Sequence, residues 1–85
     1  MKPLDQDLVR SILAAIDAYL GEGVLPVHNG HLQDLSQDGG VLACLLVMKR
    51  DGLISGDVIT KGADSIPYRM TNIRLTYLGI RVLRS

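Results

Sequence analysis

Apolar residues fall at Leu8, Val9, Ile12, Leu13, Ile16 and Leu20, the spacing of one face of a helix. Asp5 precedes this run, where a carboxylate can accept from the free N–H groups of a first turn. Leu4 and Val9 flank that cap as a hydrophobic staple, and Gly21 and Gly23 close the helix. Leu25-Pro26-Val27 predicts a short extended piece, because the residue before a proline avoids the helical region. Asn29-Gly30 predicts a turn, followed by a short helix over His31 to Leu35 with Leu32 and Leu35 facing inward. A third helix, capped by Ser36 or Asp38, is expected from Gly39 to about Asp51, with Gly52 as the left-handed residue beyond its end.

In the second half the period changes. Leu53 to Ile59, rich in Ile and Val, predicts a strand. Thr60 to Pro67, with Lys61-Gly62, Asp64 and Pro67, predicts a loop. Tyr68, Met70 and Asn72 alternate with Arg69, Thr71 and Ile73, which predicts a second strand over 68–75. Thr76 is placed to cap a last helix over 77–84. The class is α+β: three helices, a two-stranded β-hairpin and a short C-terminal helix. That is the layout of a winged helix-turn-helix, with the hairpin as the wing. Residues 1–85 are expected to form a single domain of this kind.

Three stretches carry a resemblance. Asp7-Leu8-Val9-Arg10-Ser11-Ile12-Leu13 opens the first helix, Met48-Lys49-Arg50-Asp51-Gly52-Leu53-Ile54 joins the third helix to the first strand, and Arg74-Leu75-Thr76-Tyr77-Leu78-Gly79 leads into the last helix. In this order they resemble an uncharacterised family of small phage and prophage winged-helix proteins. The resemblance implies a winged-helix fold and gene regulation by DNA binding, and it implies no catalytic residues. Such proteins often carry an acidic residue after the aromatic position and more polar residues in the third helix. Here Leu78, Ala43 and Cys44 stand at those places.

Composition narrows the reading. With 47% hydrophobic residues and a formal net charge of zero, the chain is neither a disordered segment nor a generic basic nucleic-acid binder. The neutral total hides an asymmetry. Residues 1–40 hold two basic and six acidic residues, and residues 41–85 hold seven basic and three acidic ones. The longest apolar run, Val41 to Met48, is far shorter than the ~20 residues of a membrane span. Asp5 and Asp7 do not fit the basic-then-apolar layout of a secretory leader. The single cysteine, Cys44, makes a reducing, cytoplasmic setting the expectation, that of a bacterial host if the chain is of phage origin.

The third helix bears on function because a helix-turn-helix reads DNA through its second helix. At ~100° per residue, Val41, Leu42, Leu45, Leu46 and Met48 share the inward arc. Gly40, Ala43, Cys44 and Val47 then form the outer face, with Arg50 and Asp51 at its edge. That outer face holds almost no group able to hydrogen-bond a base. Gly40, Ala43, Cys44 and Val47 are therefore candidates for a protein interface, with a second copy of the chain or another protein as partner. Lys49, Arg50, Lys61, Arg69 and Arg74 are the candidates for contact with the phosphates of double-stranded DNA.

No motif points to catalysis, to a cofactor or to a small-molecule substrate. His28, His31 and Asp34 have a spacing that a zinc site could use on one continuous helix, but Asn29-Gly30 interrupts it, so no metal is expected. Cys44 lies among apolar residues, the setting of an inert packed thiol. Gly21-Glu22-Gly23 and Gly39-Gly40 match no phosphate-binding loop.

Overall fold

The structure, a computed structural model, describes residues 5–36 and 40–85. Asp5 starts α1 (Gln6–Gly21), its Oδ1 accepting from the N–H groups of Asp7 at 2.9 Å and Leu8 at 3.4 Å. The helical spacing of its apolar residues buries Val9, Ile12, Leu13 and Ile16 on one face. Residues 22–28 lead to η1 (Asn29–Leu35), a 3₁₀ helix, and α2 (Val41–Arg50) comes next. The hairpin β1 (Ile54–Lys61) and β2 (Ile66–Leu75) follows, and α3 (Tyr77–Arg84) completes the order. The class is α+β with one antiparallel two-stranded sheet among the described residues.

Several local expectations need correction. Asn29-Gly30 is not a turn ahead of the short helix but its first two residues, because His28 caps η1. Leu32 is fully buried, whereas Leu35, at the end of the last turn, faces solvent. Ser36 does not cap α2; it ends η1, and Gly40 takes the cap position without a side-chain bond. Asp38, Leu4 and the expected start of the third helix at Gly39 lie outside the described residues. The loop expected over 60–67 is shorter. Thr60 pairs with Pro67 and Lys61 with Ile66, leaving residues 62–65 as the turn. The β-branched Thr60 and Ile66 extend the ladder, and Pro67 is tolerated because the pairing there is at the exposed end of an edge.

β2 is two residues longer than β1, and the ladder shows where they go. The register slips once between Ser55 and Asp57 and again between Ile59 and Thr60. Each slip is a β-bulge that adds one residue to β2. At the first, Asn72 takes a left-handed φ of 54°, a conformation that Asn tolerates better than most side chains. This bulge overturns the simple alternation. Met70 and Ile73, three apart, both point inward and are fully buried, so Ile73 does not share a face with Arg69.

On its other side β2 meets Val27 and Asn29; the extended piece expected over Leu25-Pro26-Val27 is instead bent at Leu25-Pro26, whose peptide bond is cis. The Ile73 N–H donates to the Val27 carbonyl at 3.0 Å, and the Met70 N–H donates to Asn29 Oδ1 at 3.1 Å. Residues 27–29 thus cover part of the free edge of β2.

The end of α2 and the start of α3 meet in one compact junction. Gly52 has the expected left-handed φ of 81°, which ends α2 and turns the chain toward β1. The Leu53 N–H donates back to the Met48 carbonyl at 2.9 Å, and the Leu53 carbonyl accepts from the Thr76 N–H at 3.2 Å. The Thr76 hydroxyl donates to the Gly52 carbonyl and accepts from the Gly79 N–H at 3.0 Å, so Thr76 caps α3 and ties it to the α2 end together. Gly79 is buried directly against the Leu53 carbonyl oxygen, and a Cβ at this position would overlap that oxygen.

The obstacle at Gly79 is backbone, which cannot rotate away as a side chain can. Gly79→Ala is therefore expected to cost about 2–4 kcal/mol, above the usual range for a small-to-large change. Thr76→Val, which removes the cap oxygen, is expected to cost about 1–2 kcal/mol. Urea unfolding midpoints of the two variants and the wild type check both; a Gly79→Ala midpoint equal to wild type would show that the junction yields easily.

Candidate functional site

Antiparallel partners project to the same side of a sheet, so the ladder assigns faces directly. Ile54, Val58, Met70, Ile73 and Leu75 belong to the inner face and are buried or half-buried. Ser55 with Arg74, Asp57 with Thr71, Ile59 with Arg69 and Lys61 with Ile66 make up the outer face. Three of the five sequence-predicted cations, Lys61, Arg69 and Arg74, are therefore brought together on one exposed side of the hairpin. At ~3.3 Å per residue they span roughly 20 Å. The one carboxylate on this side, Asp57, accepts from the Asn72 side-chain amide at 2.7 Å. Among the described residues the one ion pair is Arg50–Asp51, so Lys61, Arg69 and Arg74 have no carboxylate within ion-pair distance.

Lys49 and Arg50 lie elsewhere, in the last turn of α2, where cations complement the carbonyl end of the helix. Arg50 Nε meets Asp51 Oδ1 at 3.2 Å, with both side chains well exposed. An exposed pair of this kind contributes little to stability.

The outer face of α2 differs from the helical-wheel expectation in one residue. Cys44 is buried, alongside Val41, Leu45 and Met48, and its Sγ is 3.8 Å from Met48 Sδ. Burial, followed by the nearby Asp5 carboxylate, pushes the thiol pKa up, which makes it a poorer nucleophile. Cys44 therefore does not belong to an interaction surface. Leu42 and Leu46, expected in the core, are only half-buried. The exposed stripe is Gly40, Ala43, the half-buried Val47 and Arg50. It carries no polar side chain before Arg50.

Sequence reasoning missed a third grouping, at the start of η1. The His31 Nδ1 accepts from the His28 N–H at 3.2 Å, and the His28 Nδ1 accepts from the Gly30 N–H at 3.0 Å. The two rings lie 3.9 Å apart, and Tyr19 of α1 stands beside His31, donating its hydroxyl to the His31 carbonyl at 3.2 Å. This is a capping box built from two imidazoles. Its signal was present as two polar residues three apart just ahead of the apolar Leu32, the spacing of a capping box with unusual residue types. Burial, the His31 imidazole and Arg69, in that order, lower the His28 pKa.

Among the described residues no three His, Cys, Asp or Glu side chains come together as a metal would require. His28 and His31 are adjacent, but Asp34 does not join them in such a group. No helix among the described residues is long and apolar enough to cross a membrane. No family model matches the chain, and neither does any curated protein or solved structure.

The reassignment of Cys44 is open to a direct check. Cys44→Asp places a carboxylate in the core and is expected to abolish cooperative folding at 25 °C, since an unpaired buried charge costs several kcal/mol. Ala43→Asp, one residue away and exposed, is expected to keep the far-UV circular dichroism of the wild type. The opposite ranking would return Cys44 to the outer face.

Proposed function

We propose that the chain is a non-enzymatic winged-helix protein, a small regulator of phage or prophage type, that binds double-stranded DNA through its wing. Supporting the fold are the order helix, short helix, helix, hairpin, helix, and the backbone bond of Val27 to the edge of β2. The observation that carries the binding reading is the outer side of the hairpin, where Lys61, Arg69 and Arg74 are exposed and have no acidic partner among the described residues. A row of unpaired cations on a projecting hairpin suits the regularly spaced charges of a duplex backbone. Lys49 and Arg50 at the end of α2 add to the same basic half of the chain.

The recognition would be of backbone rather than of sequence. In a helix-turn-helix the η1–α2 pair would present α2 to the major groove. The α2 stripe of Gly40, Ala43 and Val47 has no donor or acceptor for a base edge. Affinity then rests on phosphate contacts, which position a protein without reading sequence.

Fluorescence anisotropy on a labelled duplex of about 30 base pairs, repeated over a salt series, tests this. Binding of the wild type is expected to weaken steeply with salt, and Lys61→Ala, Arg69→Ala and Arg74→Ala are each expected to lower the salt slope by about one. A wild type that fails to bind at low salt, or slopes unmoved by all three substitutions, would overturn the reading.

A second reading rests on α2. An exposed stripe of small and apolar side chains is suited to close approach by another helix, and the same stripe from a second copy of the chain would be self-complementary. Light scattering of the wild type is expected to give a dimer on this reading, and Val47→Glu a folded monomer. A wild-type monomer at 100 μM would remove it.

A further inference from the structure

We propose that the His28–His31 pair is a proton-operated latch that holds the backbone of residues 27–30 against the edge of β2 at neutral pH and loosens it on acidification. The geometry of the two rings carries the proposal. Each imidazole uses Nδ1 as an acceptor from a backbone N–H: His31 from His28, and His28 from Gly30. An imidazole can accept at Nδ1 only in its neutral form with the proton on Nε2. A proton on either Nδ1 turns an acceptor into a donor that faces a backbone donor. It also places a cation 3.9 Å from the neighbouring ring.

Among the described residues no carboxylate is paired with that charge. The groups facing the pair from packed elements are Arg69 of β2 and Tyr19 of α1. The lowered pKa of His28 agrees with this environment. In the unfolded chain His28 titrates near the ordinary value of about 6.5. Between that value and its lower folded value the unfolded state binds more protons. The stabilisation is therefore fully present above about pH 6.5 and is lost as pH falls through the folded pKa.

The latch has a defined cargo. His28 lies between Val27, whose carbonyl accepts from the Ile73 N–H, and Asn29, whose side chain accepts from the Met70 N–H. Met70 and Ile73 bracket the Asn72 bulge, and Arg69 immediately precedes Met70. Loosening of residues 27–30 would therefore uncover the edge of β2 at Met70 and Ile73, beside Arg69. This is local opening at the start of η1, with Leu32 still seated in the core and α1, α2 and the ladder to β1 persisting.

Amide hydrogen exchange followed by NMR at pH 7.5 and pH 5.0, with rates corrected for the intrinsic pH dependence, tests the latch on the whole chain. Protection of Gly30, Met70 and Ile73 is expected to fall at the lower pH, while protection within α1 holds. In the double variant His28→Asn, His31→Asn, whose side-chain oxygens can accept at the same places without titrating, the fall is expected to disappear. Protection that does not depend on pH in the wild type, or a fall that persists in the double variant, would overturn the proposal. A second measurement needs no variant. The ¹⁵N shifts of both imidazoles at pH 7.5 are expected to show Nδ1 unprotonated, and a protonated Nδ1 on either ring would also overturn it.

Discussion

The arrangement of helices and hairpin depends on one close backbone contact, that of Gly79 with the Leu53 carbonyl. Leu53 is the hinge of the chain, bonded back to the last turn of α2 through its N–H and to Thr76 through its carbonyl. Thr76 gathers the same region through its hydroxyl, which serves the Gly52 carbonyl and the Gly79 N–H. Three elements, α2, the root of the hairpin and α3, are thus held at one point by backbone groups. Backbone has no rotamers to relax into, so the angle at which the hairpin leaves the body is set tightly. The core then fills the space beneath it, with Leu13 reaching the Gly79 site and Met48, Met70 and Ile73 fully buried.

The second determinant is the pair of bulges in β2. A strand with strict alternation would send Met70 and Ile73 to opposite sides. One extra residue at Asn72 brings both inward and keeps Arg74 outward with Arg69. The same irregularity that completes the core therefore assembles the cationic side of the hairpin. Asn72 contributes twice, by accepting the left-handed backbone and by engaging Asp57, the one acidic residue on that side. Structure and proposed binding surface are here consequences of a single local feature.

The edge of β2 opposite β1 links this surface to the histidines. Residues 27–29 lend it two hydrogen bonds, and the capping of η1 holds those residues in place. A cap made of Ser and Glu would do this at any pH near neutrality. A cap made of imidazoles does so only while they are neutral. The choice of residue type turns an ordinary helix start into a feature with a chemical condition attached.

How much of this was legible beforehand follows from how local each determinant is. The Asp5 and Thr76 caps, the helical stripe of α1, the left-handed Gly52 and the order of elements were set by the sequence itself, because each depends on residues within one turn of chain. The facing of α2 was not, since a helix apolar on nearly every side gives no polar marker of which arc is outside. Packing against η1 and the hairpin put Cys44 in and left Leu42 and Leu46 half out. Nor could the strand face of Ile73 be read, because a bulge is a relation between two strands and leaves only an Asn in the sequence of one. The grouping of Lys61, Arg69 and Arg74, and the nearness of His28 to Arg69, required the register and the edge contact of β2. Those are decided by partners tens of residues apart, and only the tertiary structure supplies them.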